Sequence, residues 1–283
     1  MNDSQIYAEQ FERQRGQLQA VAYRMLGSMA EAEDAVQEAW LRLSRSDAEA
    51  VNNLGGWLTS VVGRICIDML RARRSKHEEP LDHIPDFVVS RQESPEDDVL
   101  MADSVGLALL VILDSLTPPE RLAFVLHDMF AMPFEEIATT LSRSPAAVRQ
   151  LASRARRRVQ GATPPTTSFA QRRAVVDAFV AASREGNFAG LVAVLDPDVV
   201  LRADREPAIH AIRGAHAVAS QAVAFRNVDL RIERVTVNGS PGIVAWLPND
   251  QPLSVMGFVV TGKRIREIYV ISQPDRLRQI LQS

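Results

Sequence analysis

Residues 133–159 have the sequence PFEEIATTLSRSPAAVRQLASRARRRV, which predicts two helices joined by a tight turn. Pro133 stands at the start of the first helix, and Glu135 and Glu136 fall in its first turn, where the helix dipole favours acids. Ser144 is a preferred N-cap residue for the second helix, and Pro145 follows at its first position. The spacing predicts a helix-turn-helix, the motif whose second helix enters the major groove of DNA.

The second of these helices has an apolar face and a basic face. Its predicted buried stripe consists of Val148, Leu151, Ala152, Ala155 and Val159. Its predicted outer face consists of Arg149, Ser153, Arg156 and Arg157, with Arg154 and Arg158 on the flank. Arginine bonds guanine edges and phosphates bidentately, so a helix face with this many arginines and no acid favours DNA binding. A plain solvated face is the alternative, because helix-turn-helix geometry also occurs in proteins that do not bind DNA.

The overall charge points the other way. The 283 residues carry 32 Lys+Arg and 35 Asp+Glu, a net charge of −3 that by itself argues against a nucleic-acid-binding protein. Local charge matters more than the sum. The arginines of residues 143–158 and the basic residues of 71–76 are two such local clusters.

Composition excludes several classes of protein. The chain is 46% hydrophobic and 24% charged, which excludes wholesale disorder. A single cysteine, Cys66, excludes a disulfide framework and a cysteine-rich zinc site. The five histidines show no paired ligand spacing, so we expect neither a metal nor a cofactor. No apolar run approaches the ~18 residues of a membrane span. We therefore expect a cytoplasmic protein with no membrane partner.

Changes in pattern along the chain predict a multidomain protein. Residues 1–77 and 99–160 have helical periodicity, and residues 78–98 between them are rich in proline and acids, which predicts a linker. A second linker is predicted at 161–168. Residues 169–283 begin with two helical stretches and continue as alternating strands, which predicts an α+β domain. The predicted strands are Val199–Arg202, Val228–Val237, Gly242–Trp246, Leu253–Thr261 and Ile265–Ile271, with a hairpin turn at 261–264.

Two further surfaces in the first segment carry charge. Asp34, Gln37, Glu38 and Leu41 share the outer face of a helix, and an acidic face with an exposed leucine suits a protein partner better than DNA. A solvated face is the default for it. The basic residues of 71–76 end another helix, where they act either as favourable charges at a helix C-terminus or as a phosphate-binding patch.

Taken together, these motifs resemble the bacterial RNA polymerase sigma factors. Residues 23–27 (YRMLG), 32–41 (AEDAVQEAWL), 56–59 (GWLT) and 68–71 (DMLR) are similar to sigma region 2. Residues 116–158 are similar to region 4, including 134–138 (FEEIA) and 148–151 (VRQL). Two regions joined by one linker resemble the extracytoplasmic-function (ECF) group. The resemblance implies two all-α domains: a region 2 helical bundle and a region 4 helix-turn-helix.

The resemblance also assigns roles to residues. The acidic face would dock on the β′ clamp helices of core RNA polymerase, and region 4 would rest on the β flap. The helix from Pro145 would read the promoter −35 element. Its implied contacts are Ser144, Arg149, Ser153, Arg154, Arg156 and Arg157. The implied contacts to the −10 element are Asn52, Asn53, Arg64, Arg71, Arg73, Arg74 and Lys76.

The last domain resembles a SnoaL-like cone of the NTF2 superfamily. In sigma factors with this fusion, the extension is thought to regulate in cis, so the resemblance implies contact between the SnoaL-like and sigma domains. The subgroup's C-terminal motif Asn-Pro-Asp-Lys-Leu appears here as Gln273 followed by Pro274, Asp275, Arg276 and Leu277. Its Asp-Gly-Gly-Gly-Arg motif is replaced by Ala203-Asp204-Arg205-Glu206-Pro207, and its linker motif Trp-Leu-Pro-Glu-Pro is missing.

Two other functions remain open at this point. A ligand-responsive helix-turn-helix regulator is one, although a repressor has no need of the acidic face. An enzyme is the other, because the cone fold also hosts isomerases and cyclases. Its candidate acid–base residues are Asp198, Asp204, Glu206, His210 and His216. Nothing in the sequence brings two of them together, and a pocket filled by side chains would exclude catalysis. We expect no catalytic residue.

Overall fold

The computed structural model describes residues 3–45, 53–75, 84–91, 106–162, 167–205 and 208–282. They belong to two compact units. The first comprises Met1–Pro80 and Leu110–Ala162, and the second comprises Leu81–Leu109 and Thr163–Ser283. In the described part of the chain, no helix is both long and apolar enough to cross a bilayer.

The first unit begins with three helices: α1 (Asp3–Leu26), α2 (Met29–Arg45) and α3 (Leu54–Ser75). Gly27 ends α1 with a φ of 73°, a left-handed conformation that glycine adopts at low cost. The face of α2 opposite its predicted outer face is buried, and α1 and α3 pack their own apolar faces against it. The buried residues include Leu18, Val21, Met25, Ala32, Val36, Ala39, Leu43, Leu58 and Val62.

The rest of the first unit contains the helix-turn-helix. Its elements are α4 (Leu107–Asp114, of which Leu110 onward belongs here), α5 (Pro118–Phe124), a π-helical turn (Val125–Met129), α6 (Phe134–Leu141) and α7 (Pro145–Ala162). Ser142 turns the chain with a φ of 53°, and the Ser144 hydroxyl accepts a hydrogen bond from the Ala147 amide at 3.2 Å. The predicted N-cap and buried stripe of α7 are confirmed, with Val159 only partly buried.

Within its described residues, the second unit is a seven-stranded sheet with helices packed on it. The helices are α8 (Phe169–Glu185), α9 (Phe188–Val194), α10 (Ala215–Val223) and α11 (Pro274–Gln282). The strands are β1 (Val89–Ser90), β2 (Leu195–Arg205), β3 (Ala208–Arg213), β4 (Arg231–Val237), β5 (Ser240–Trp246), β6 (Pro252–Thr261) and β7 (Arg264–Ile271). Their order is β1-β4-β5-β6-β7-β2-β3, and only the β2–β7 pair is parallel.

Helices α8, α9 and α10 cover one face of this sheet. Val176 and Phe179 of α8 join Leu191, Val218 and Phe258 in one apolar cluster. The rings of Phe179 and Phe258 meet edge to face, with centroids 5.6 Å apart. The predicted α+β domain and its hairpin at 261–264 are confirmed, the latter by pairing of Thr261 with Arg264 across Gly262 at φ 60°.

Two strands differ from the sequence-based expectation. β3 follows β2 directly and has little of the alternation that identified the others. β1 lies within the predicted linker and pairs with β4 through Val89↔Val237 and Ser90↔Thr236. A two-residue strand is fixed by the backbone of its partner rather than by a side-chain pattern, so periodicity does not reveal it. The segment from Ile84 to Arg91 is therefore part of the second unit and joins its sheet through Val89 and Ser90.

Candidate functional site

The arginines of α7 have three kinds of environment. Arg154 and Arg158 donate to the carboxylate of Glu120, at 2.9 and 2.8 Å. Arg149 pairs with Glu135 and Arg156 with Asp128. Arg157 is exposed and forms no ion pair within the described ranges. The basic face is therefore real, but acids from other helices neutralise part of it.

Glu120 is the buried anchor of this arrangement, with a side chain only 5% exposed. Its carboxylate also accepts from the Thr117 amide and hydroxyl, in a capping box that starts α5. Burial alone would raise the pKa of Glu120. Hydrogen bonds from Thr117 and Arg154, with the charge of Arg158, outweigh burial and lower the pKa below its ordinary value of 4.5. Arg154 and Arg158 thus fix α7 on α5.

The exposed part of α7 is suited to an anionic partner. Ser144 and Ser153 are exposed beside Arg157. The Arg149–Glu135 pair is more than half exposed on both sides, at 56% and 64%. An exposed ion pair contributes only about 0–1 kcal/mol. Arg149 also stacks on the Phe134 ring at 5.5 Å, which holds its guanidinium at the surface. Arg149 can therefore exchange Glu135 for a DNA phosphate as its partner at little cost in free energy.

The residues predicted to contact the −10 element have different environments. Asn53 begins α3 by accepting the Gly56 amide at 3.0 Å, and Arg71 is exposed beside Asp68. Arg73 is half-buried, bound to Glu31 and to the Leu26 carbonyl. Of Arg74 only the backbone is described. Asn52 and Lys76 lie outside the described residues.

Arg64 makes an unexpected contact within the first unit. Its guanidinium donates to the carbonyls of Thr139 and Thr140, at 2.8 and 3.1 Å. These carbonyls belong to the last turn of α6, the negative end of the helix dipole, which attracts cations. Arg64 therefore joins α3 to the first helix of the helix-turn-helix.

Neighbouring contacts join the same two parts of the chain. Gly63 lies so close to α5 that a Cβ on it would come within 2.9 Å of a Leu122 methyl group. Arg121, nearly fully buried, donates to the Arg24 carbonyl at 3.0 Å and pairs with Asp114. The region 2-like and region 4-like segments thus pack on each other.

The acidic face of α2 is exposed as predicted. Asp34, Gln37 and Leu41 are exposed, with Leu41 at 39%. Glu38 is partly exposed and pairs with Arg42 one turn later. Large exposed apolar side chains next to acids favour a protein partner, although one leucine alone is common on surfaces.

Asn238 in the second unit binds the segment between the two helical parts. It is 1% exposed and left-handed at φ 47°, in the two-residue turn between β4 and β5. Its side chain accepts the Val88 amide at 2.7 Å and donates to the Asp86 carbonyl at 3.1 Å. Its backbone donates to the Val88 carbonyl and accepts the Leu107 amide. Sequence reasoning missed Asn238, although Asn-Gly between alternating segments is a strong hairpin signal.

Arg276 binds the same segment from another side. Its guanidinium pairs with Asp86 at 3.2 Å and with Asp204 at 3.4 Å, and lies 3.5 Å from the Ile84 carbonyl. Asp204 is 3% exposed and also accepts from the Ser272 amide. The two altered motifs of the α+β domain therefore meet at the linker. In the C-terminal motif, Pro274 opens α11, Leu277 is buried and Asp275 is exposed beside Arg278.

The second unit also encloses a cavity of about 610 Å³ between the sheet and helices α8 and α10. It is not filled by side chains, so that predicted reason for excluding an enzyme does not hold. His210 lines it, but Asp204 is bonded to Ser272 and Arg276, Asp198 and His216 lie elsewhere, and Glu206 is outside the described residues. Within the described ranges no cluster of His, Cys, Asp and Glu is arranged to hold a metal.

Comparison with known proteins gives consistent results. Residues 10–76 match the family model for Sigma-70 region 2, and residues 106–159 match that for Sigma-70 region 4. The probable ECF RNA polymerase sigma factor SigI of Mycobacterium tuberculosis is 34% identical over 269 residues, which are 93% of this chain and 92% of that protein. SigJ of the same species is 39% identical over 218 residues, 74% of this chain and 70% of that protein.

A solved structure matches both units. The crystal structure of the M. tuberculosis ECF sigma factor SigJ superimposes with a TM-score of 0.68 at 31% identity. It covers 96% of this chain and 98% of the SigJ chain. The predicted fold class, helical segments followed by an α+β domain, is confirmed.

Proposed function

The chain belongs to the ECF sigma factors of bacterial RNA polymerase, and from this membership we propose how its two units divide the work of transcription initiation. As a sigma factor it binds core RNA polymerase and directs it to promoters. The alternative of a ligand-responsive repressor is wrong, because the similarity to sigma factors extends over 93% of the chain rather than the helix-turn-helix alone. Sigma factors initiate transcription without being enzymes.

We assign the −35 contacts to the exposed part of α7. Arg157 and Ser153 are free to contact DNA directly, and Arg149 and Arg156 reach it by exchanging surface acids for phosphates. Arg154 contributes by fixing α7 to Glu120. We assign the −10 contacts to Asn53, Arg64 and Arg71 together with the neighbouring Asn52, Arg73, Arg74 and Lys76. Asp34, Gln37, Glu38 and Leu41 form the docking face for the β′ clamp helices, and the β flap receives region 4.

We propose that the first unit, as it stands, is a resting state. The −10 and −35 elements are about 25 base pairs apart by their names, or about 85 Å at ~3.4 Å per base pair. Arg64 is assigned to the first element, yet it hydrogen-bonds α6, the helix that precedes the −35 reader. Both elements cannot be bound while these bonds persist, so α3 and α6 must separate when the polymerase binds.

The second unit regulates this separation in cis. Residues 84–91 and 106–109 connect the two sigma regions, and they are held by Asn238, Arg276 and the edge of β4. Because both ends of this connection are held on the second unit, less chain length is available to span the distance between the two sigma regions when they move apart. Release of the connecting segment from the second unit therefore favours the open, polymerase-bound form. The single observation that carries this proposal is the set of four hydrogen bonds made by Asn238.

In vitro transcription with core polymerase tests the proposal. The full chain is compared with a version that ends at Gly161 and with full-length Arg276→Ala, which loses the ion pairs to Asp86 and Asp204. We expect promoter-dependent transcripts whose amount differs between the full chain and both variants. Arg278→Ala is the matched control, because Arg278 pairs only locally with Asp275 in the described structure. Equal activity of all forms would refute regulation in cis, and no transcript from any promoter would refute the promoter-recognition assignment.

A further inference from the structure

The cavity of the second unit is lined mainly by apolar side chains. Phe179 of α8, Leu201 of β2, Ile243 of β5, Met256 of β6 and Val270 of β7 face it from different sides. Protein interiors are close-packed, and the apolar atoms that line an unfilled space forfeit packing contacts that a bound molecule can supply. At 610 Å³ the cavity lies within the ~300–1,000 Å³ of small-molecule sites.

One polar group inside the cavity has no partner. Ser254 of β6 is 8% exposed and lines the cavity, and its hydroxyl has no hydrogen-bond partner among the residues that the structure describes. The other two serines differ, since Ser183 donates to the Ala222 carbonyl and Ser272 to Asp204. A hydroxyl that opens into a cavity and has no protein partner can bond only water or a bound molecule there. An oxygen on a bound molecule supplies such a partner.

The rim of the cavity has a different character. Arg184 and Arg226 are exposed at the rim and form no ion pair with any residue in the described ranges. Asp229 is the acid of the lining, so the two arginines leave one net positive charge there. Phe225 and Val228, at 39% and 42% exposure, add an apolar entrance. A ligand with an apolar body and an anionic end matches this gradient.

The size of the cavity limits the ligand. At about 30 Å³ for each non-hydrogen atom, the share of one water molecule in the liquid, 610 Å³ holds about 20 such atoms. Asp204 is not part of the lining and is bound to Ser272 and Arg276, and no hydrogen bond joins the lining's His210 to its Asp229 in the described structure, so the described lining holds no hydrogen-bonded acid–base pair for turnover. The arrangement suits binding rather than catalysis.

We propose that this cavity binds a lipophilic carboxylate of about 20 non-hydrogen atoms that carries an oxygen on its apolar body. The carboxylate lies at the rim between Arg184 and Arg226, the apolar body fills the space between the sheet and α8, and the oxygen bonds Ser254. The binding site is independent of the proposed regulation, since it is tested without polymerase or DNA.

The test uses the full chain and cis-parinaric acid, a fluorescent fatty acid of about the required size. Saturable fluorescence enhancement is expected, with displacement by octadecanoate. At least one hydroxyoctadecanoate isomer should displace the probe about 2–12-fold better, the ratio that one hydrogen bond of about 0.5–1.5 kcal/mol supplies. In Ser254→Ala, which fits without a clash, this preference should disappear while octadecanoate still binds.

Further variants locate the site and the charge. Ala245→Phe narrows the cavity at a buried lining position and should abolish binding. The exposed double variant Arg184→Glu/Arg226→Glu should weaken displacement by octadecanoate but not by octadecanol. No saturable binding to the folded chain, or unchanged binding in folded Ala245→Phe, overturns the site. Equal displacement by octadecanol and octadecanoate overturns the carboxylate, and an unchanged preference in Ser254→Ala overturns the role of Ser254.

Discussion

Replacing Asn238 by glycine tests most directly how the second unit holds the segment between the sigma regions. Glycine accepts the φ of 47° that Asn238 adopts, so the turn between β4 and β5 is preserved. The substitution removes the buried side chain and with it the bonds to the Val88 amide and the Asp86 carbonyl. Every other contact of the segment with the sheet remains.

The size of the effect follows from these two bonds. Each contributes about 0.5–1.5 kcal/mol, so their loss weakens the attachment by about 1–3 kcal/mol. A loss of about 2 kcal/mol raises the opening equilibrium of residues 84–91 about 30-fold, at 1.4 kcal/mol for each factor of ten. Asn238→Ala should weaken the attachment further than Asn238→Gly, because alanine, unlike glycine, pays about 1–2 kcal/mol for the left-handed conformation of this turn.

Amide hydrogen exchange of the full chain measures this opening. The amides of residues 88–90 should exchange about 30-fold faster in Asn238→Gly, whereas the core strands β5 and β6 should keep their protection. Asn249→Gly is the matched control, because it removes an exposed side-chain bond to the Gln251 amide in another turn of the same unit. Unchanged exchange at residues 88–90 would refute the attachment. Faster exchange without a change in transcription would refute its regulatory role.

Four further predictions concern the first unit. Gly63→Leu should drive α3 away from Leu122 and raise the affinity for core polymerase, measured by pull-down. Gly16→Leu is the control and should leave the affinity unchanged, because a Cβ there meets nothing within 4 Å. Equal affinities of the two variants would contradict the resting state. Arg157→Ala should weaken binding of a −35 duplex by region 4 and lower the salt dependence of the DNA-binding constant by about one phosphate contact, with the stability of the protein unchanged. Arg158→Ala should instead lower the free energy of unfolding by about 1–3 kcal/mol, because it deprives buried Glu120 of a hydrogen-bond donor. The reverse pattern would refute the assignment. Because the pKa of Glu120 is lowered in the folded protein, its carboxylate contributes stability that is present above pH 4.5 and is lost as the pH falls through the folded pKa. The thermal unfolding temperature should therefore depend less on pH between pH 3 and 6 in Glu120→Gln than in the unchanged chain. Parallel pH curves of the two proteins would count against this role of Glu120. Asp34→Arg should weaken core binding about tenfold or more while leaving the fold intact, because an acidic docking face requires a basic partner surface and close like charges cost several kcal/mol at an interface. Glu9→Arg on the exposed face of α1 serves as its control. The assigned docking face fails if both variants bind equally.

The sequence alone determined the local elements and the chemistry of their faces. Ser144 and Pro145 start α7 through their own backbone preferences, and the stripe of Val148, Leu151, Ala152 and Ala155 is buried because its spacing matches the helical period. The outer face of α2 and most strands of the second unit were predictable for the same reason. The motifs of regions 2 and 4 were local enough to be read without any tertiary contact.

The tertiary structure decided which charges are free and what holds the linker. Glu120 lies 34 residues before Arg154, so no pattern within α7 reveals that two of its arginines are bound to a buried acid. Arg64 meets Thr139 across 75 residues, and Asn238 meets Asp86 across 152 residues. Contacts of this kind depend on how elements are brought together by packing rather than on the propensity of any segment, which is why the sequence predicted the elements and the structure was needed for their partners.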